Sequence, residues 1–274
     1  MHLASDSPSI SLSLSLNAAE IEPSHFESKA GKKKEIAARK ISCINCSTSN
    51  LEIHHQVSVS QQLFSRSMKA VFPIGYFPPI SYFAYLIRNE VTIEAKEHFV
   101  KQSLRNRCAI LGANGPLNLL IPRAKSKERL TIEQVQVHEE TDWKTLHWRS
   151  LEAAYRNSPY FEYYEDDFQV FFKKDYTHHF QLNLASIQLV CNLLDIELKP
   201  EFTSEYQINF DGLDLRNAWN KQEYAEKNPA NSYPRYIQVF SDRHEFAQDL
   251  SILDILFCLG PRTIDYLKEL ELTK

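Results

Sequence analysis

Basic side chains cluster in the segment 98–122, HFVKQSLRNRCAILGANGPLNLLIP, just ahead of two apolar runs. Lys101, Arg105 and Arg107 lie at spacings of four and two, and His98 precedes Lys101 by three positions. Residues two apart in an extended chain point the same way, so Arg105 and Arg107 are expected to present two guanidinium groups together. Such a pair suits a phosphate or carboxylate, and His98 would act as an acid or base near neutral pH. The alternative is surface charge that only balances nearby glutamates.

His244 is a second histidine that could move protons, because it follows Asp242-Arg243 and precedes the start of an apolar helical segment. Ser251 and Asp254 fit the first and fourth positions of a capping box with a shorter acid, which favours a structural interpretation. The functional alternative is a helix N-terminus that presents free N–H groups to an anion, with Arg243 or His244 beside it.

Nucleophilic and metal chemistry have weaker support. Cys108 begins an apolar run, which favours a small buried hydrophobe over a reactive thiolate. The sequence contains no phosphate-binding glycine loop, no dinucleotide fingerprint and no nucleophilic serine elbow. A C-x-x-C motif at 43–46 precedes His54-His55, but the gap is shorter than zinc fingers use. We therefore predict no metal site.

Composition sets the class of protein. The 274 residues are 43% hydrophobic and 24% charged, as in ordinary globular proteins, and 16 Phe with 13 Tyr predict an aromatic-rich core. A net charge of -4 argues against general nucleic-acid binding. There is no apolar run of the ~18–20 residues that would cross a bilayer, and no secretory signal. Five cysteines do not form an evident disulfide framework, so reduced thiols in the cytoplasm are expected.

The first 67 residues differ in composition and pattern from the rest, with a Ser/Leu alternation and a charged patch. Such a segment buries too little to offset chain entropy, so we expect a disordered or spurious leader. Met68 is the only methionine after Met1 and stands just before a strand-like run. We therefore expect a single domain over residues 68–274, with a polar, lid-like loop at about 210–234.

A βαβ-like unit opens that domain. The run 70–74 predicts a strand, and residues 90–95 predict a second one. Between them, the prolines at 78 and 79 interrupt the strand pattern, and a helix is predicted to begin near Ile80. Ligands of parallel sheets bind beyond the carboxyl ends of the strands. Residues 76–80 and 96–107 are therefore expected to meet at one edge.

The pattern predicts an α/β fold with a mixed sheet, a helical middle region and C-terminal helices, and α+β is the alternative. A hairpin is expected across the Gly-Ala-Asn-Gly turn at 112–115. Further elements follow from periodicity. Strands are predicted at 131–138, 202–209 and 235–240, and helices at 143–156, 160–172, 178–196, 251–259 and 263–270.

Several dispersed motifs occur in an order that resembles the WbqC-like protein family. They are Tyr76-Phe77-Pro78-Pro79-Ile80-x-Tyr82-Phe83, Lys101-Gln102-x-x-Arg105-Asn106-Arg107, Pro122, Trp143, Tyr155-x-x-Ser158-Pro159-Tyr160-Phe161, Tyr236-x-Gln238-x-Phe240 and Asp249-Leu250-Ser251-Ile252-x-Asp254. The resemblance implies a bacterial cytoplasmic protein linked to O-antigen and other lipopolysaccharide biosynthesis. It also implies a transferase role, moving an aminoacyl or acyl group onto a sugar. Leu104 and Cys258 depart from the family pattern, where many members carry Trp and Asn.

The first hypothesis is a transferase that acts on a small anionic or sugar-nucleotide ligand. Substrate binding is assigned to Tyr76, Tyr82, Lys101, Arg105, Arg107 and Trp143, and catalysis to His98 and His244. A second hypothesis is a non-catalytic protein that binds a phosphate- or carboxylate-bearing ligand. A third is a structural partner of a membrane-bound assembly. The sequence leaves cofactors, donor, acceptor and oligomeric state open.

Overall fold

The domain opens with the predicted βαβ unit. In the computed structural model, β1 (Lys69–Pro73) and β2 (Glu90–Glu94) pair in parallel from Lys69↔Glu90 to Pro73↔Glu94. The connecting helix α1 (Ile80–Leu86) has every residue buried, so its apolar sequence is accounted for by the core. The structure describes residues 68–138, 141–220 and 230–273. The predicted leader and its C-x-x-C motif lie outside these residues.

Two short strands complete a parallel sheet. β5 (Glu201–Phe202) pairs with β2 and β6 (Leu213–Asp214) pairs with β1, which gives the order β5-β2-β1-β6. The chain moves outward from β1 through β2 to β5 and then returns to the other side of β1. The strand order therefore reverses between β1 and β6. Open parallel sheets place ligands beyond the carboxyl ends of strands at such a reversal.

The predicted hairpin is confirmed as β3 (Arg107–Gly112) and β4 (Gly115–Leu120), paired antiparallel with Arg107↔Leu120. Gly115 has a φ of 107°, a conformation that glycine adopts without steric cost. Cys108 and Ile110 point to the buried face. The alternation of a strand then puts Arg107 and Ala109 on the other face. That face is the part of the hairpin that can meet a ligand.

Helices occupy the middle and the C-terminal end, as predicted. α2 (Trp143–Tyr155) begins at an Asp142 N-cap that accepts from the Thr145 N–H at 3.4 Å. The remaining helices are α3 (Phe161–Lys173), α4 (His179–Leu193), α5 (Ile252–Leu259) and α6 (Thr263–Glu269). The fold is therefore α/β, although parallel and antiparallel pairings occupy separate sheets.

Three strand predictions were wrong in type or length. The stretch 131–138 forms a 3-10 turn at Ile132–Gln134 with isolated bridges. Residues 203–209 form no strand, residues 235–238 form no regular element, and residues 239–240 lie in a turn. Alternation alone cannot make a strand when no neighbouring backbone edge is available to pair with. The polar region 210–234 instead contributes β6 and β7 (Ala230–Ser232), which pairs with β8 (Glu271–Leu272).

Candidate functional site

Arg105 is part of the scaffold. Its side chain is 1% exposed, and its Nε donates to Glu97 Oε1 at 2.7 Å while Nη2 donates to Glu97 Oε2. Nη2 also donates to the Arg216 carbonyl oxygen at 3.2 Å. Burial raises the pKa of Glu97, against the lowering effect of Arg105. The pair thus joins the loop after β2 to the loop after β6.

A second buried pair reinforces the same junction. Arg216 Nη1 lies 3.2 Å from Glu94 Oε2, and its Nη2 lies 2.5 Å from Asp214 Oδ2. Glu94 is fully buried at the end of β2, and Asp214 ends β6. Because a buried carboxylate is costly without a partner, Arg216 stabilises the end of β2 through Glu94, as Arg105 stabilises the loop after β2 through Glu97.

Arg107 is placed differently. The turns of residues 101–106 precede it and β3 begins only at Arg107, so the extended alternation predicted for Arg105 and Arg107 does not apply. Its Nε is buried and has no hydrogen-bond partner, and within residues 68–138, 141–220 and 230–273 no carboxylate pairs with it. A buried donor left unpaired costs about 1–3 kcal/mol. Arg107 is therefore a cation whose ligand is not supplied by the described protein.

Arg107 lines a cleft of about 440 Å³ at the carboxyl edge of the parallel sheet. Phe77 and Pro79 follow β1, the segment 102–104 follows β2, and Trp219 follows β6. We call this the sheet-edge cleft. Its lining residues are Phe77, Pro79, Gln102, Ser103, Leu104, Arg107, Cys108, Ala109, Asn118, Trp219, Asp249 and Ser251.

Backbone hydrogen bonds hold the walls of the cleft together. The Ser251 N–H donates to the Ala109 carbonyl oxygen at 2.8 Å, and the Ile252 N–H donates to the Pro78 carbonyl oxygen at 3.0 Å. Ser251 Oγ also donates to the Phe77 carbonyl oxygen at 2.8 Å. These hydrogen bonds therefore join the hairpin, the loop after β1 and the start of α5 into one wall of the cleft.

Strained backbone concentrates at the cleft. Phe77, Gln102 and Asp249 have φ values of 38°, 59° and 47°, and Asp195 is the only other described non-glycine residue with positive φ. Each such conformation costs about 1–3 kcal/mol and tends to persist at ligand and active sites. Their grouping around one cleft is independent support for a functional site there.

Trp219 and Asp249 are both held by hydrogen bonds to Ser81. Asp249 Oδ1 accepts from the Ser81 N–H at 2.8 Å, and Asp249 Oδ2 accepts from Ser81 Oγ at 2.7 Å. Trp219 Nε1 donates to the same Ser81 Oγ at 2.8 Å. The indole and the carboxylate thereby keep fixed positions in the cleft wall.

The aromatic residues predicted to stack on a ligand lie in the core. Tyr76 and Tyr82 are fully buried and Trp143 is 5% exposed. The Tyr82 hydroxyl donates to the Pro73 carbonyl oxygen at 3.0 Å. The Tyr76 hydroxyl donates to His147 Nδ1 at 2.9 Å, because the carbonyl oxygen at the other ring nitrogen can only accept. None of the three rings lines the sheet-edge cleft.

The predicted histidines and Lys101 also lie away from the cleft. Lys101 and His98 are exposed, and the His98 backbone bridges Thr131. His244 Nε2 lies 3.0 Å from the Ala113 carbonyl oxygen on the hairpin turn. Of the predicted site residues, only Arg107 lines the sheet-edge cleft.

Ser251 caps α5 as predicted, but the helix N-terminus has no free donors for an anion. The N–H groups of Ser251, Ile252 and Asp254 bond to backbone carbonyls, and the Leu253 N–H donates to Ser251 Oγ. Asp254 does not close a capping box. Its carboxylate accepts from Tyr155 and from the 236–238 segment instead.

The three cysteines that the structure describes, Cys108, Cys191 and Cys258, are buried and are not activated as nucleophiles. Cys108 is 5% exposed, and burial raises the pKa of its thiol well above the ordinary value. Burial likewise raises the pKa of Cys191 to about 12. Cys108 is thus a buried small hydrophobe, as the sequence predicted.

A larger groove of about 1070 Å³ lies beside α5 and α6. Two of its lining residues, Tyr236 and Gln238, donate to Asp254 Oδ2 at 2.5 and 3.0 Å. Its Arg243 lies 3.5 Å from Asp242. Tyr236, Gln238 and Arg243 in this groove therefore have partners within the protein, in contrast to Arg107.

Several polar and aromatic residues of the cleft were not assigned to a site from the sequence, among them Asp249, Trp219, Gln102 and Asn118. Asp249 was recognised only as capping-competent near α5, whereas it accepts from the N-terminus of α1. Trp219 lay in a polar region taken for a lid, where a lone tryptophan was an available signal. Gln102 stood in a family motif but was given no role, and Asn118 carried no signal, because exposed amides are common in hairpins.

A family model and a curated relative match this chain. The model of the WbqC-like protein family matches residues 75–238, which include every cleft residue except Asp249 and Ser251. The chain belongs to the WbqC-like protein family. A relative in Mycobacterium tuberculosis (strain ATCC 25618 / H37Rv), described as uncharacterized protein Rv1507c, is 26% identical over 225 residues, covering 73% of this chain and 96% of its own length. No solved structure matches this WbqC-like protein.

The described residues also bear on metal binding and on membrane crossing. In the described part of this WbqC-like chain, no group of three His, Cys, Asp or Glu residues is placed to hold a metal ion. Over the same residues, every helix is too short or too polar to cross a bilayer.

Proposed function

We propose that this WbqC-like protein is a cytoplasmic transferase of O-antigen-type polysaccharide synthesis that binds an anionic sugar-linked substrate in the sheet-edge cleft. The observation that carries the proposal is the Arg107 guanidinium, whose buried Nε lacks a partner at the carboxyl edge of the sheet. Family membership supports a role in transfer of an aminoacyl or acyl group to a sugar.

The cleft offers polar groups for the anionic part of a ligand and apolar rings for the rest of it. Arg107 offers forked donors to a phosphate or carboxylate, and the amides of Gln102 and Asn118 stand in the same lining. Trp219 and Phe77 give the cleft apolar rings for the body of a ligand. The volume of about 440 Å³ matches a sugar phosphate or the reacting end of a sugar nucleotide.

Ligand-induced stabilisation tests the binding step. Sugar nucleotides and sugar phosphates are screened for a rise in melting temperature, which mass action gives to any ligand specific for the native state. Arg107→Ala should remove the rise, whereas Arg149→Ala on the exposed face of α2 should leave it unchanged. Ala109→Leu should also remove it, because the longer side chain occupies the cleft while Arg107 remains. A broad panel without any shift would rule out the proposed site.

The second candidate is a non-catalytic binding protein for a phosphate- or carboxylate-bearing ligand. One observation favours it, since among the described residues the ionisable side chains that line the cleft are Arg107, Cys108 and Asp249, and none of them is a histidine. Mass spectrometry of a binding ligand incubated with candidate acyl and aminoacyl donors separates the two functions, because only the transferase yields a new covalent product.

A further inference from the structure

The loop that carries Gln102, Ser103 and Leu104 into the lining of the sheet-edge cleft has backbone donors to offer there. Its Leu104 carbonyl oxygen accepts from the Tyr76 N–H at 2.8 Å, and its Ser103 carbonyl oxygen accepts from the Asn106 N–H at 3.1 Å. The N–H groups of Gln102 and Leu104, by contrast, form no hydrogen bond with any residue that the structure describes. Leu104 is 8% exposed, and a buried N–H that lacks a partner is rare in native proteins.

The backbone of this loop brings its N–H groups together. Gln102 has a φ of 59°, whereas the φ of its neighbour Ser103 is negative. Such a change of hand within a turn directs successive N–H groups into one concavity, and concavities of this kind bind anions. Ser103 Oγ donates to the Val100 carbonyl oxygen at 2.7 Å and accepts from the Arg105 N–H at 3.4 Å, so the turn is held from within.

Arg107 supplies a second set of donors from a different element, the start of β3. Its Nε is buried without a partner, and its side chain lines the same cleft as the loop. A carboxylate has two oxygens, and one arginine fork binds both of them in a single plane. A phosphoryl group has three acceptor oxygens, so the same fork leaves one for the N–H groups of the 102–104 loop. Donors from two elements therefore match a phosphoryl group better than a carboxylate.

We infer that the anionic group bound in the sheet-edge cleft is a phosphoryl group, held by the Arg107 guanidinium together with the N–H groups of the 102–104 loop. The inference rests on the proposed function, because it specifies which anion the same site takes. Two sources have this chemistry, a sugar monophosphate and the diphosphate of a sugar nucleotide.

Matched probes separate the two kinds of anion. Glucose 6-phosphate and glucuronate carry a phosphate and a carboxylate at the same end of the same sugar, and both are titrated calorimetrically at fixed ionic strength. Glucose 6-phosphate should bind about tenfold more tightly, the size expected for one further hydrogen bond to a charged group. UDP-glucose distinguishes the sources, since it should bind more tightly than glucose 6-phosphate if the source is a sugar nucleotide and less tightly if it is a monophosphate.

Two substitutions of Gln102 test the loop itself. Gln102→Gly removes the side chain and keeps the conformation, because glycine adopts positive φ without steric cost. Gln102→Val removes the same side chain but opposes the conformation, because a β-branched residue rarely adopts positive φ. Glucose 6-phosphate should bind Gln102→Gly within about threefold of the native protein and Gln102→Val about tenfold more weakly. Equal affinities of the two variants would overturn the inference.

Nuclear magnetic resonance gives a measurement that needs no variant. The amide protons of Gln102 and Leu104 should move downfield when glucose 6-phosphate is added, because their N–H groups then donate to an anion. The amide proton of Arg149, on the exposed face of α2, is the control and should not move. A response of the Arg107 Nε proton without one at Gln102 and Leu104 would exclude the 102–104 loop from the site.

The outcomes separate the inference from the proposed function. Glucuronate that binds as tightly as glucose 6-phosphate overturns the inference, and the proposed function then stands alone, because Arg107 can bind either anion. If neither the probes nor the sugar-nucleotide panel binds, both fail.

Discussion

Arg105 and Arg107 are two positions apart in the chain but belong to different parts of the molecule. Arg105 is buried against Glu97 and ties together the loops after β2 and β6. Arg107 lines the sheet-edge cleft with a buried Nε that has no partner. The comparison teaches that an arginine's role is decided by whether the fold supplies its counter-charge. A cation paired by the protein stabilises the fold, whereas one left unpaired in a cleft is available to a ligand.

Removal of Arg105 should have the largest effect on stability. Arg105→Met leaves the Glu97 carboxylate buried without its partner, which costs about 3–5 kcal/mol. Denaturant unfolding measures the loss. Adding Glu97→Gln should recover part of it, because the neutral amide is cheaper to bury than an unpaired carboxylate. A loss below about 1 kcal/mol would contradict the assignment of Arg105 to the scaffold.

Acid should weaken the scaffold through its buried histidines. Burial lowers the pKa values of His147 and His179 from 6.5 to about 4. Between those values the unfolded chain binds more protons than the native protein, so stability falls as the pH is lowered from about 6.5 to 4. Each histidine contributes at most about 3 kcal/mol. Melting temperatures across this range should fall less steeply in His147→Gln than in the native protein.

The matched control for that experiment is His98→Gln, since His98 is exposed. Its melting curve should follow the native pH dependence. Buried Asp254 opposes the histidines, because burial raises its pKa and its protonation as the pH falls favours the folded state. An equal slope in His147→Gln and the native protein would place the acid sensitivity elsewhere.

Removal of Arg107 should cost the fold little. Arg107→Ala deletes a buried donor that has no partner, so we expect stability to change by less than about 1 kcal/mol in either direction. Ligand binding should nevertheless be lost, as the proposed function requires. Denaturant unfolding and ligand titration, measured on the same preparation, test the prediction on stability and the prediction on binding. A destabilisation as large as that of Arg105→Met would show that the two arginines do not differ in role.

Lys101 should give the smallest effect. It shares the segment with both arginines but is exposed and does not line the cleft. Lys101→Ala should change stability by less than about 0.5 kcal/mol and leave ligand-induced stabilisation intact. Loss of that stabilisation would extend the binding surface beyond the sheet-edge cleft and support the substrate-binding role that the sequence predicted for Lys101.

Local patterns predicted much of the fold. The βαβ unit, the hairpin and the positions of the helices follow from periodicity, prolines and caps, which act between residues close in sequence. The strands predicted at 131–138 and 235–240 were wrong because a strand also needs a partner edge, and no local pattern supplies one. Short β6 was missed for the converse reason, since pairing with β1 makes a strand from two residues in a polar region.

The sequence by itself determined the elements, the family motifs and a basic segment at the edge of a parallel sheet. Only the tertiary structure decided that Arg105 is paired and Arg107 is not. It also decided that Tyr76 and Tyr82 are core residues. It brought Asp249 to Ser81, from 168 positions away in the chain. The physical reason is that burial and counter-charges depend on which distant segments meet, and that is fixed by packing of the whole domain.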